Sequence, residues 1–436
     1  MTTDAPLKRV KTNFLRLLKG RGASALLTLA ATALMARALS PDYFGLVVLI
    51  HTYLLAVRGL LNLKPFEAII RYGVSAQEED RTDRLAQLLR MILVLDGIFA
   101  VGGTLITLAL VPLVGPMLGW NSDAQNLALF YSLLMLSAST GTANGVLRLY
   151  NRFDLLGLRQ AIGPLVQLLG VALAWLLEAQ YPYFLLAYGS GWLVENLALL
   201  WFGWRESRRQ LGRQIWQGPV WQQHRERFPG FWRFIQVVYW QANMDLIPKQ
   251  LSLLGVGALL GAADAGLFRL AQQLAKVLTV PALLLRTVLF PDLARLWHRS
   301  DPQFAGVIKR SLVIAVLFGG AVALLSLFLG KPAIQLLAGP EYLGAVVVIF
   351  WLMLSAGLDL GLAALRAAGY AMGFAGALLR LYLVSLLVYA LLFLLLGQWL
   401  GLVGIGVATA SWSAINLFLV GGLVSYKLRL GAQGPL

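Results

Sequence analysis

A chain of 436 residues that is 59% hydrophobic and only 13% charged, with a mean hydropathy of +0.73, cannot take water as its main solvent, because soluble domains are roughly 45–50% apolar and about 25% charged. The absence of cysteine excludes disulfides and thiolate metal sites. The net charge of +16 would suit nucleic acid, but the basic residues are scattered over alternate loops instead of sharing one face, so nucleic acid is not an expected partner.

Residues 1–21 are polar and basic, unlike a cleaved signal, and read as an amphipathic cytoplasmic N-terminus. Apolar runs then predict spans at 22–39, 44–64, 86–111, 125–147, 158–177, 183–203, 235–260, 265–289, 311–330, 343–365, 375–397 and 402–425. Runs of about 20 apolar residues cross a ~30 Å hydrocarbon layer as helices. They are continuous, whereas barrel strands alternate apolar and polar residues. The expected fold is therefore an all-α integral membrane protein of about twelve transmembrane helices.

Lys and Arg resist translocation, so their loop distribution orients the chain. Six precede the first span, and the others fill every second loop: Arg71, Arg81, Arg84 and Arg90, then Arg148, Arg152 and Arg159. Seven arginines lie in 204–234, followed by Arg295, Arg299, Lys309 and Arg310, then Lys427 and Arg429. The opposite loops hold only Lys331. Both termini are expected in the cytoplasm, with the Trp-containing basic stretch 204–234 as a topological anchor touching anionic head groups.

The chain echoes itself. Ser40-Pro41-Asp42-Tyr43-Phe44-Gly45-Leu46 after the first span returns as Gly261-Ala262-Ala263-Asp264-Ala265-Gly266-Leu267 after the seventh, and Leu147-Arg148 returns as Leu365-Arg366. Six spans separate the echoes, so the halves share one orientation, as parallel repeats do. Two six-helix lobes follow, 22–203 and 235–425, around a central cavity, joined by 204–234 and followed by a cytoplasmic tail, 426–436.

Ionisable groups within spans mark pathways or pairs. His51, Arg58 and Asn62 share one face of the second span, and Arg269, Gln272, Gln273, Lys276 and Thr279 one face of the eighth. Gln241, Asp245, Lys249 and Ser252 line the seventh, beside Pro248, and these stripes are expected at the lobe interface. Arg58, Lys249 and Lys276 lie deep enough to suit a water-filled lumen, while Arg37 and Arg269 sit near span ends where they could snorkel to the interface. Asp245 and Lys249 could instead neutralise each other at i,i+4. Asp96, Glu195 and Asp359 could carry protons or Na⁺, or serve as structural acceptors. His51 has no neighbouring ligands for a metal. No phosphate-cradling loop or other enzymatic constellation is present, so neither cofactor nor catalysis is expected. The spacings Gly141/Gly145, Gly257/Gly261, Gly357/Gly361 and Gly369/Gly373 permit close helix contact.

Several segments resemble a known family. Ala36-Arg37-Ala38-Leu39-Ser40-Pro41-Asp42-Tyr43-Phe44-Gly45 is similar to the opening turn of the polysaccharide (O-antigen type) flippases. Gly145-Val146-Leu147-Arg148 with Asn151-Arg152-Phe153-Asp154, then Ala265-Gly266-Leu267-Phe268 with Leu289-Phe290-Pro291, and Gly401-Leu402-Val403-Gly404-Ile405-Gly406 continue the likeness in order. Ser40 stands where the family usually has glycine. The resemblance implies the multidrug/oligosaccharidyl-lipid/polysaccharide (MOP) exporter fold and alternating-access flipping of undecaprenyl-diphosphate-linked oligosaccharide across a bacterial inner membrane, for cell-surface polysaccharide such as lipopolysaccharide O-antigen. A polysaccharide polymerase and assembly machinery would be partners. Of the expected substrate-binding cations, Arg37 follows from a motif; Arg58, Lys249, Arg269 and Lys276 follow from spacing. A drug/cation antiporter of the same superfamily would favour an acidic cavity, and a glycosyltransferase, polymerase or ligase would need a larger external loop.

Overall fold

The computed structural model describes residues 4–244, 250–298, 301 and 303–431, and these hold helices and no strand. In chain order the helices are α1 Asp4–Ala38, α2 Pro41–Leu61, α3 Phe66–Glu78, α4 Thr82–Met117, α5 Ser122–Ser132, α6 Gly141–Leu149, α7 Phe153–Leu176 and α8 Tyr181–Leu211. There follow α9 His224–Arg227, α10 Phe231–Met244, α11 Ser252–Leu260, α12 Ala262–His298, α13 Gln303–Leu337, α14 Val346–Ala371 and α15 Ala375–Gly431. Gly401 leaves the helical region at φ 57°, a conformation that only glycine adopts without cost, and so divides α15 into two limbs.

Seven stretches among the described residues are long and apolar enough to cross a membrane, and one of them, Gly376–Leu428, comprises both limbs of α15. The predicted fourth span falls short because 122–149 is split into pieces below spanning length. The predicted eighth carries Arg269 and Lys276 inside its apolar run. Large apolar side chains stand exposed along the long helices, such as Phe328 at 77%, Leu387 at 73% and Leu176 at 72%. Lipid tails are the natural solvent for such faces.

The chain forms two compact units, one of residues 1–39 and 46–254, the other of 40–45 and 255–436. In the first, α7 packs along both α1 and α8, α3 along α6, and α4 against the 3₁₀ turn Leu133–Ala138. The α1/α7 and α7/α8 crossings occur at glycines: a Cβ on Gly20 would overlap the Gly157 carbonyl, and one on Gly191 would stand 2.6 Å from the Gly163 oxygen. In the second unit α14 is central, packed on α12, α13 and α15. There a Cβ at Gly357 would lie 2.8 Å from the Gly319 backbone. The two repeat-related turns also meet inside this unit, where Gly45 lies against Ala262 and Gly266 against Pro41 and Phe44.

Two elements depart from the sequence reading. The fourth predicted span, 125–147, is not one helix: α5 tightens into the 3₁₀ turn and stops before α6 begins at Gly141. Leu133-Leu134-Met135-Leu136 is as apolar as a spanning helix, so hydropathy did not register the break. The stretch after the second span, read as loop, contains α3, whose buried Ala68, Ile69, Tyr72 and Ala76 fall on one side.

The basic stretch 204–234 is also more than a loop. Helix α8 runs on to Leu211, and Leu211, Ile215, Phe228 and Phe231 join one apolar core with α3, α4 and α6. Its irregular backbone is held by a face of α4 at spacings of three residues. Arg84 donates to the Arg227 carbonyl at 3.0 Å, Gln87 to that of Gln222 at 2.6 Å and Arg90 to that of Gln214 at 2.6 Å. The Tyr72 hydroxyl donates to the Pro229 carbonyl at 2.9 Å. Backbone carbonyls without a ladder partner need such donors, and the α4 side chains turn the segment into a fastened strap.

Losing two of these donors frees the strap. Each side-chain hydrogen bond to a carbonyl contributes about 1 kcal/mol, more from a charged donor, so Arg84→Ala with Gln87→Ala should speed tryptic cleavage between Arg213 and Arg225 by about tenfold. In the second unit, Gly357→Leu overpacks the α13/α14 crossing and should cost ~1–3 kcal/mol, read as a lower Tm of the detergent-solubilised protein.

Candidate functional site

The expected site residues distribute unevenly. Asp245 and Lys249, with Pro248, lie outside the described residues. Arg37 is exposed near the C-terminal end of α1, in an open hollow of about 430 Å³ with Trp175, Leu176, Glu178 and Phe184. Arg58 is deep in the same unit, seventeen residues after the start of α2, so about 25 Å of helix rise separates it from that end. Arg37 and Arg58 therefore do not form one site.

Arg58 and His51 meet side chains of α5 and α8 within their own unit. Tyr188, Trp192 and Glu195 lie on α8 at i, i+4 and i+7, one face of a helix. That face matches the spacing of His51 and Arg58 on α2. The His51 ring meets Tyr188 edge-on at 5.4 Å and its Nδ1 is 2.7 Å from the Tyr131 hydroxyl. The Arg58 guanidinium lies over Trp192, 5.2 Å from the ring centre, a cation–π contact that gains strength where water is excluded. Trp192 is only 9% exposed.

Glu195 pairs with Arg159 of α7, Oε1 to Nη2 at 2.9 Å, with the two side chains 23% and 19% exposed. Arg159 had read as a loop charge; in the structure it lies within α7 and lines a cavity of about 140 Å³ with Arg58, Asn62, Lys64, Thr140 and Asn144. The Arg58 Nε is buried without a hydrogen-bond partner. A buried guanidinium nitrogen without an acceptor is costly, so the position favours a hydrogen-bond acceptor.

Asp96, on α4, lines the same cavity but is already engaged. Its Oδ2 accepts from the Thr142 amide at 2.6 Å and from the Thr142 hydroxyl at 2.8 Å. Helix starts leave amides unsatisfied, and α6 starts inside the predicted spanning region, with no cap from its own Thr140. Asp96 supplies the cap from a neighbouring helix. Of the two roles the sequence left open, its contacts are those of a structural acceptor.

In the second unit Lys276 donates to Gln273 Oε1 at 2.6 Å, one turn back on α12, and Gln273 is buried. Arg269 lies two turns before Lys276 on the same helix, within electrostatic reach. Asp359 is half-buried on α14. Among the described residues no group of three or more His, Cys, Asp or Glu could hold a metal ion.

The Arg159–Glu195 pair is testable by its non-additivity. Arg159→Leu alone strands a half-buried carboxylate and should cost roughly 1–3 kcal/mol. The double change with Glu195→Leu removes both charges and should recover at least half of that, measured as Tm in one detergent. Asp96→Ala should cost about 1–2 kcal/mol as a lost helix cap, and Asp96→Asn, which keeps an acceptor, less.

Comparison with known proteins places this arrangement. Residues 34–347 match the family described as polysaccharide biosynthesis protein. The inner membrane protein YghQ of Escherichia coli strain K12 is 29% identical over 335 residues, covering 75% of this chain and 91% of that protein. An inward-facing multidrug resistance MATE family transporter of the MOP superfamily superposes with a TM-score of 0.74 at 14% identity, over 92% of this chain and 95% of the other. The lipid II flippase MurJ, in an inward closed conformation, superposes at 0.71 and 13% identity, over 93% and 86%. At such identities the likeness establishes the fold, that of the MOP exporters, in agreement with the twelve-helix expectation. The chain is a multi-pass membrane protein and belongs to the polysaccharide biosynthesis protein family.

Proposed function

We propose that the protein flips an undecaprenyl-diphosphate-linked oligosaccharide from the cytoplasmic to the periplasmic leaflet of a bacterial inner membrane by alternating access, for assembly of a surface polysaccharide. The observation that carries this reading is the cavity where Arg58, with an unsatisfied Nε, and Arg159 lie inside a membrane unit. Guanidinium groups bind phosphate oxygens through charge-assisted, often bidentate hydrogen bonds, strengthened where water is scarce. The polyprenyl tail can remain in lipid while the head group is held.

Arg37, by its motif, and Arg269 and Lys276 on α12, by sequence spacing, belong to the same set of proposed substrate-binding cations. Lys249 belongs to the same proposal by sequence spacing. The alternate-loop charges favour cytoplasmic termini, and YghQ, named an inner membrane protein, supports that membrane. Energy comes from an ion gradient, with Glu195, Asp359 and Asp245 as the carboxylates available to it, or from downstream use of the product by a polymerase and its assembly machinery. Drug/cation antiport on the same fold is disfavoured because the side chains around Arg58 carry more positive than negative charge.

Proteoliposomes loaded with a fluorescent lipid-linked oligosaccharide test the reading. Wild type should clear label from the leaflet facing the cytoplasmic side, Arg58→Ala and Lys276→Ala should slow clearance at least about tenfold, and Arg37→Ala should slow it by no more than about twofold. Extrusion of a cationic dye with no movement of the sugar lipid would transfer the assignment to an antiporter.

A further inference from the structure

The cavity beside Arg58 is small. At about 140 Å³ it falls below the ~300–1,000 Å³ of pockets for drug-sized ligands. A compact ionic group fits within it. Its walls carry Arg58, Lys64 and Arg159 against Asp96, and Glu195 reaches Arg159 from α8. Asp96 is committed to the start of α6, and Glu195 is set against Arg159.

Three observations describe how Glu195 and Arg58 are held. Glu195 meets Arg159 through its Oε1 at 2.9 Å. It lies against Gly163 of α7, where a Cβ would stand 2.7 Å from its Oε2, so the carboxylate sits against bare backbone. Trp192, three residues earlier on α8, covers the face of the Arg58 guanidinium, whose Nε is buried with no hydrogen-bond partner among the described residues. Two further residues near the cluster have partners of their own: Arg148 of α6 donates to Asn144 at 2.8 Å, and the His51 ring, about 10 Å along α2, meets Tyr131 and Tyr188.

We propose that Glu195 is a resident counter-ion that competes with the incoming anion: a phosphate group entering the cavity takes Arg159 and sits against Arg58, and Glu195 gives way. This deepens the flippase reading and rests on its anionic cargo. The carboxylate keeps Arg159 solvated while the site is empty and lowers the net affinity for the anion, which speeds release. A carrier must let its cargo go, and affinity held in reserve against an internal competitor serves that need.

The expected signature is a gain in binding on removing a charge, which loss of a merely structural ion pair would not produce. In titration calorimetry of the full-length protein in nanodiscs, a short-chain prenyl diphosphate should bind Glu195→Gln about tenfold tighter than wild type and Arg159→Gln at least tenfold weaker. The double variant should bind no tighter than Arg159→Gln, because the competitor acts through that arginine. Inorganic pyrophosphate is run in parallel: the same gain with pyrophosphate assigns the site to the phosphates alone, and a gain confined to the prenyl compound assigns it to the lipid head group. In the flipping assay Glu195→Gln should lower the apparent KM and kcat together. Glu195→Gln binding equally or more weakly, with a wild-type Tm, overturns the competition and leaves the flippase reading standing. Wild-type protein that binds neither diphosphate overturns the anion site itself, whereas wild-type protein that binds them but moves no sugar lipid overturns only the flippase reading.

Discussion

The first unit is organised around one obligation: a helix that starts without a cap of its own must have its free amides satisfied by other groups. The chain meets it by aiming Asp96 of α4 at the first turn of α6. The break at 133–140 then becomes tenable, and with it the polar cavity that the break opens beside Arg58, Thr140 and Arg159. Asn196 and Ser137 extend the same logic, the Asn196 amide donating to the hydroxyl at the foot of the 3₁₀ turn at 3.3 Å.

Given that cavity, the rest of the unit is a matter of matching helical periods. Polar residues on α2 recur at seven, and on α8 an aromatic, an aromatic and a carboxylate recur at four and three, so imidazole meets phenol and guanidinium meets indole. Glycines at the α7/α8 crossing bring the two backbones close enough for Arg159 and Glu195 to pair. The electrostatics of the site thus depend on small residues that carry no charge, as is common where membrane helices approach closely.

The sequence made most of the helices legible, because an apolar run of about twenty residues has few alternatives to spanning. It concealed what depends on partners. The 3₁₀ break is as apolar as the helix it interrupts, and α3 is amphipathic and only 13 residues long, so neither changed the hydropathy enough to be noticed. Arg58 and Glu195 stood out as charges within spans. Arg159 did not, because a basic residue near a span end reads as a loop residue, and its partner is 36 positions away on another helix. Tyr131, Tyr188 and Trp192 carried no signal, since aromatic residues in a membrane span are ordinary core until a cation is found against them. The strap over α4 was hidden for the same reason: its donors look like loop charges until their backbone acceptors are in place.

The modest volume beside Arg58 has a consequence for recognition. On the proposed function, a recess of about 140 Å³ meets only the part of a cargo that enters it, so a glycan extending beyond it would be read by other surfaces.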